Sequence, residues 1–534
     1  MDIYNLVSLA GLFVLIGVAW ALSADRRRMN VRAIGWGVGL QLALGALVFW
    51  LPYSRDSFRW LNDVVVNVLT TAQEGQKFLF GRLALQPGQT GPKGETSLGF
   101  FLAIQALPVI IFFSAVMALL YHWRIMPRII RAFAWVFTRL MRVSGAESLC
   151  AASNIFVGIE SATTVRPYLE RMTRSELCTI LTAGMATVAS STMAVYVFYL
   201  KDVFDGIAGH LISASILSAP AAIVMSKVLL PERGEPITLG RTVQPEVERY
   251  SGAIDAIIAG AMAGVKLVVG ICALLIAFLG ILAVIDLALG ALGGWLAGQL
   301  GWAWASQLSL IWLLGQVFRP IAALIGVPWS DARLAGELLG RRLVATELPS
   351  YESLAELMNA GAFRHPRSAV VIAYALCGFA HVASLAIFVG GIAALVPARR
   401  KDLAAVGPRA LLAATLACLM TGAVAGTFFI AQAPGKGASR PAPGPPSRPA
   451  SSPSTTDAAG RPGAASRRVA YASVPLVSSG PREPRSALPP SGRGGTIALE
   501  PTCAVAQSFM HCSTDRSTST MCLGDTSSVG PPIM

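Results

Sequence analysis

The chain reads as an all-α polytopic membrane protein, on three observations. Of its 534 residues 54% are hydrophobic and only 13% charged, against roughly 25% charged in a globular domain. Apolar runs of about 20 residues, the length that crosses a bilayer, recur along the whole chain. The basic residues behind the net charge of +14 cluster in short stretches beside those runs, which is how a membrane protein fixes its orientation. That placement argues against a nucleic-acid partner and makes the lipid bilayer of a cytoplasmic (inner) membrane the expected surroundings.

Taken in order, the apolar runs fall near 3–23, 33–52, 98–121, 176–200, 205–230, 264–288, 303–325, 367–396 and 408–431. They predict eight or nine spans, the count turning on whether 289–302 joins 303–325. The first run has no basic stretch before it, and Arg26, Arg27, Arg28 and Arg32 follow it instead; it reads as a span and not as a cleavable signal. In 127–143 Arg128, Arg131, Arg139 and Arg142 recur at helical spacing between apolar residues, the pattern of an amphipathic helix lying in the interface. Residues 57–82 predict a second such helix. Arginines after the first and third runs, with the basic stretch 397–409, put the N-terminus and the C-terminal tail outside when placed on the cytoplasmic side. Gly260/Gly264 and Gly290/Gly294/Gly298 read as sites of close helix approach.

Cys150, Cys178, Cys272, Cys377 and Cys418 stand singly in apolar surroundings and read as free thiols. Cys503, Cys512 and Cys522 show no metal-binding spacing. Residues 434–534 hold half of the 32 prolines, with Ser, Gly and Arg filling much of the rest. Such a composition cannot bury enough apolar surface to offset the entropy of ordering, and predicts a disordered tail.

Two stretches break the apolar pattern between spans: 148–171, "SLCAASNIFVGIESATTVRPYLER", and 328–362, "PWSDARLAGELLGRRLVATELPSYESLAELMNAGA". Irregular backbone at membrane depth survives only where protein buries it or where it lines a cavity, and paired broken segments in two halves point to a transporter's binding site. Each stretch is followed by one version of a short repeat. "TAGMATVAS" (182–190) aligns without gaps on "LCGFAHVAS" (376–384), pairing Gly184 with Gly378, Thr187 with His381 and Ser190 with Ser384. Two repeated halves are expected, each a re-entrant hairpin followed by a polar-faced helix.

"NIFVGIESATTVRPYLERMTRSEL", "FRPIAALIGVPWSDARLAGELLGRRLVATELPSY" and "ALCGFAHVASLAIFVGGIAALVPARR" resemble the concentrative nucleoside transporters, across about residues 95–430 and in the family's order. The resemblance implies N-terminal spans and an interfacial helix as scaffold over 1–95, a transporter core over 96–433, and a homotrimer. It implies symport of a nucleoside or nucleoside-like solute with Na⁺ or H⁺, Na⁺ being favoured, and no cofactor beyond that ion.

Residue by residue the match is uneven. Asn154, Gly158 and Ala162 fit the family's first hairpin, but Ile159, Glu160 and Ser161 stand where its Gln, Thr and Glu contact the base. In the second hairpin Glu347 keeps the place of the ribose-binding glutamate. Phe379 and Ser384 keep the family's aromatic and serine, while His381 replaces an asparagine. Asn154, the Val157 carbonyl and Thr187, with Ser190 and Ser191 as substitutes, match the Na⁺ neighbourhood. A hydroxyl-rich sugar suits a carboxylate and a serine, and an intramembrane carboxylate is costly unless it meets a ligand or partner. The plainer alternatives are a helix-end Glu347 at the interface, a Glu160 paired with Arg166, and a His381 satisfied in the core. The altered triplet leaves open transport of a different polar solute. A membrane enzyme with Glu160, Glu347 and His381 as acid–base groups is the reading of another class, but no nucleophile motif, Walker loop, HExxH or metal cluster accompanies them.

Overall fold

The computed structural model describes residues 2–50, 52–86, 89–91, 94–246 and 250–430, and within them every side chain except those of 52–59, 61, 159 and 160. The tail expected to be disordered, 434–534, lies outside the described residues. Within them the chain is helical, and its β structure is limited to two isolated bridges, Thr90 with Thr96 and Ser144 with Leu239.

Seven stretches are long and apolar enough to cross a membrane: Ile3–Ala21, Val31–Trp50, Leu102–His122, Arg174–Leu200, Ile207–Leu229, Ala253–Leu300 and Pro397–Phe428. The expected eight or nine becomes seven because two runs do not fold as single long helices. Run 303–325 gives a helix of only 15 residues, and 367–396 is split in two.

The first helices are α1 (Ile3–Ala21), α2 (Val31–Trp50), α3 (Pro52–Phe80), α4 (Val109–His122) and α5 (Ile125–Met141). α5 is the expected amphipathic helix. It buries Met126, Ile130, Ala134, Phe137 and Met141 along one face, while Arg128 and Arg131 stay exposed. The first broken segment becomes α6 (Gly145–Asn154), a turn, a 3₁₀ stretch (Ile159–Val165) and the single-turn α7 (Arg166–Leu169). Ser144 and Glu147 close a reciprocal capping box at the start of α6, which satisfies two backbone donors otherwise orphaned at a helix start.

α8 (Arg174–Ala186), α9 (Ser190–Leu200), α10 (Ile207–Leu229) and α11 (Ala253–Leu300) follow. α11 takes in 289–300 without interruption and ends at Gly301, and at 48 residues it runs about 72 Å at 1.5 Å per residue, more than twice the roughly 30 Å hydrocarbon core. Gly260 and Gly264 press this helix on α4: a Cβ at Gly260 would lie 2.6 Å from Ser114 O, and one at Gly264 2.7 Å from the Ile111 Cα. Gly290, Gly294 and Gly298 meet nothing within 4 Å. α4 covers only the first part of α11, and on the second part it is Gly293 that meets a neighbour, the backbone at Ala305.

The second half holds α12 (Leu310–Leu324), α13 (Ala332–Ala345), α14 (Glu347–Asn359), α15 (Pro366–Leu376), α16 (Val382–Leu395) and α17 (Arg400–Phe428). α13 and α14 form a tight helical hairpin that turns at Thr346, whose φ of +74° lies in a region non-glycine residues rarely enter. Asp331 fixes its base, accepting from Ser368 Oγ at 2.6 Å and from the backbone N–H groups of Arg364 and His365.

Arg367 at the start of α15 is buried without a carboxylate. It donates to the carbonyls of Gly326 and Gly426, each at 2.7 Å, to the Tyr4 carbonyl, to Asn5 Oδ1 and to Ser8 Oγ. Every nitrogen of the guanidinium fork finds an oxygen, and α1 is tied by it to the ends of α12 and α17.

Candidate substrate site

The seven-residue repeat lies on two interruptions of helix. Between α8 and α9 residues 187–189 are not helical, and between α15 and α16 neither are 377–381. Thr187 (φ −110°, ψ 169°) and His381 (φ −142°, ψ 165°) are both extended. The two interruptions touch. A Cβ on Gly378 would stand 2.7 Å from Ala186 O, so only glycine lets them close. Cys418 of α17 sits beneath both, its thiol 3.7 Å from Ala186 O and 3.8 Å from Cys377 O, a weak donor shared by two carbonyls at helix ends.

Against these interruptions stand the tips of both hairpins, bordering a cavity of about 350 Å³, within the range of small-molecule sites. Its polar wall includes Val157 and Gly158 of the first hairpin tip, Ser191 and Thr192 of α9, Thr346 and Glu347, and Phe379, His381 and Ser384. The opposite wall is apolar and comes from α4 and α11, Met117, Leu267 and Ile271 among its residues.

Glu347, the first residue of α14, is the buried acid of the cavity, 3% exposed. Oε1 accepts the Tyr196 hydroxyl at 2.9 Å, and Oε2 lies 2.9 Å from His381 Nε2. His381 Nδ1 accepts the Ser384 N–H at 3.2 Å, and an accepting Nδ1 leaves the ring proton on Nε2, facing the carboxylate. His381 thus caps α16 and faces Glu347 at once. Ser384 turns its hydroxyl inward to His381 O at 2.8 Å and to Phe379 O. Thr346 Oγ1 is buried with no hydrogen-bond partner.

The residues expected to hold a cation come from bonded segments. The Ser190 N–H donates to Phe156 O at 3.0 Å, joining the first hairpin tip to the interruption that contains Thr187. Asn154 is fully buried; Nδ2 donates to Cys150 O at 3.0 Å, while Oδ1 has no partner. Thr187 Oγ1 donates to Ala183 O at 2.8 Å and keeps its lone pairs free to accept. A buried, unpartnered amide oxygen and a hydroxyl with free lone pairs are each of the oxygen-ligand type that a hard cation takes.

The structure therefore brings Glu347, Phe379, His381, Ser384 and Val157 to one cavity, while Asn154 and Thr187 are buried and do not line it. Ser161 does not line the cavity; it is buried against Cys150, whose thiol lies 3.7 Å from its Oγ. The side chains of Ile159 and Glu160 lie outside the described residues. Tyr196, Thr346 and Thr192 belong to the wall or support it without any sequence signal. Tyr196 stands in "MAVYVFYL", an apolar run in which periodicity does not separate it from Phe198 or Tyr199.

Interrupted helices, two hairpin tips and a cavity with a buried acid on its polar wall define an integral-membrane transporter. The chain belongs to the Na⁺ dependent nucleoside transporter family: residues 10–83 match the model of its N-terminus and 210–426 that of its C-terminus, with a nucleoside recognition (gate) model over 103–202 between them. The nucleoside permease NupC of Helicobacter pylori is 35% identical over 80% of this chain and 98% of its own. The mouse sodium/nucleoside cotransporter 1 is 35% identical over 80% of this chain and 64% of its own. Among solved structures, CNTnw in an inward-facing substrate-bound state superposes with a TM-score of 0.70 at 36% identity, covering 80% of this chain and 98% of that one. A double variant of CNTnw in an outward-facing state gives 0.71 at 35% identity, with the same coverage.

Proposed function

We propose that this protein is a Na⁺-coupled symporter that imports nucleosides, or a nucleoside-like solute with a vicinal diol, across the cytoplasmic membrane. The observation that carries the reading is Glu347: a buried carboxylate at a hairpin tip, lining the cavity, held by a phenol and an imidazole. A carboxylate in that setting is expensive unless a ligand or partner uses it, and sugar hydroxyls are suitable donors to it. Asn154, the Val157 carbonyl and Thr187 hold the coupling ion, Na⁺ in preference to H⁺. The two hairpins are re-entrant, and the assembly is a homotrimer, as the family resemblance implies.

Proteoliposomes carrying the full chain test this. Radiolabelled uridine and adenosine should accumulate under an inward Na⁺ gradient and not without one. Uptake driven by a proton gradient alone would move the coupling ion to H⁺, and no uptake under either gradient would overturn the reading. Burial of Ser161 against Cys150 favours one competing substrate class, a polar solute without a nucleobase. A thermal-shift screen of nucleosides against free sugars and nucleobases separates the two.

A further inference from the structure

Glu347 can serve a diol only if its carboxylate plane is fixed, and the structure contains a device that fixes it. Tyr196 reaches Oε1 from α9, seven residues beyond the first interruption. Its ring stacks on Tyr351 of α14, with centroids 4.3 Å apart and planes 18° apart. Tyr351 is anchored in turn, its hydroxyl donating to Ala373 O of α15 at 2.8 Å. Both rings are fully buried, so the phenol that meets Glu347 is held by packing on one side and has no water to turn toward. The stack joins α9 of the first half to the hairpin and α15 of the second.

A carboxylate oxygen accepts two hydrogen bonds. Oε1 has one from Tyr196, and Oε2 lies 2.9 Å from His381 Nε2 but receives no aligned hydrogen bond. Each oxygen therefore keeps at least one acceptor position, which is what a vicinal diol requires when both hydroxyls donate to one carboxylate. Were Oε1 not held, the group could rotate and offer a single oxygen.

We propose that Tyr196 is a positioning residue that sets the plane of the Glu347 carboxylate and thereby confers preference for substrates carrying a vicinal diol. The proposal rests on the nucleoside reading above. Tyr196 does not touch substrate; it acts through Glu347, so the readout is selectivity and not affinity alone.

Calorimetric titration of the purified full chain in Na⁺ buffer, with uridine, 2′-deoxyuridine and 3′-deoxyuridine, tests it. The wild type should favour uridine. Tyr196→Phe keeps the stack and loses the hydroxyl; uridine should weaken by about 10- to 100-fold, as for a lost hydrogen bond to a charged group, while the deoxynucleosides, already short of one hydroxyl, weaken far less. Tyr351→Phe keeps the Tyr196 hydroxyl and should preserve the ratio. Loss of all three ligands alike in Tyr196→Phe, or no loss, overturns the positioning role. If that variant does not fold, a Tyr351→Phe protein that folds but has lost the diol preference overturns it equally. Wild-type protein that binds none of the three overturns the nucleoside reading itself, an outcome visible before any variant is compared.

Discussion

Adding one methyl group where the two helix interruptions meet should disable the transporter, and the structure gives the size of the effect. In Gly378→Ala the new Cβ would lie 2.7 Å from Ala186 O and 2.5 Å from Cys418 Sγ. The first neighbour is backbone at the end of α8, which has no rotamer to change, and the second is a buried thiol of α17. Overpacking of this kind destabilises by about 1–3 kcal/mol, and at this place it pushes apart the two segments that frame the cavity. The repeat partner supplies the control. A Cβ on Gly184 would meet the Phe388 ring, a side chain that can move or be shortened. Gly184→Ala should therefore be milder and be largely rescued by Phe388→Leu, whereas Gly378→Ala should gain nothing from that second change. Thermal unfolding in detergent and nucleoside titration on the four variants and the wild type measure both parts. Rescue of Gly378→Ala by Phe388→Leu, or a Gly378→Ala protein as stable and tight-binding as wild type, would show that contact at Gly378 does not hold the two interruptions together.

Two further outcomes follow from the same geometry. Glu347→Gln should fold but lose binding by about 10-fold or more, because an amide cannot accept from both Tyr196 and His381 and carries no charge; wild-type affinity by calorimetry would sink the assignment. Arg367→Met should leave the carbonyls of Gly326 and Gly426 buried without their partner, a loss of about 2–6 kcal/mol at 1–3 kcal/mol per group. Size-exclusion thermal stability should fall well below that of Arg174→Met, which removes only an exposed pair with Asp402, and equal loss in the two would falsify this account of the Arg367 network.

The places where the fold was legible in the sequence are those where the backbone itself constrains residue type. Gly184 and Gly378 had to recur because backbones, rings and thiols press on them, and that necessity is what made two seven-residue stretches align across nearly 200 positions. Glu347 was legible because an acid in an apolar chain stands out. Arg367, Tyr196 and Cys418 were not, since each takes its meaning from partners far away in the chain: Arg367 from α1 and the ends of α12 and α17, Tyr196 from an acid 151 positions on, Cys418 from two interruptions that no periodicity reveals. The alignment itself misleads if carried past the backbone. Thr187 and His381 occupy matching places, yet Thr187 bonds backward to Ala183 and finishes α8, while His381 accepts forward from Ser384 and begins α16. The repeat therefore preserves the interruption of a helix and not the chemistry at it. On the proposed reading, that division of labour lets one half offer oxygen atoms to a cation while the other offers an imidazole and a carboxylate to a sugar.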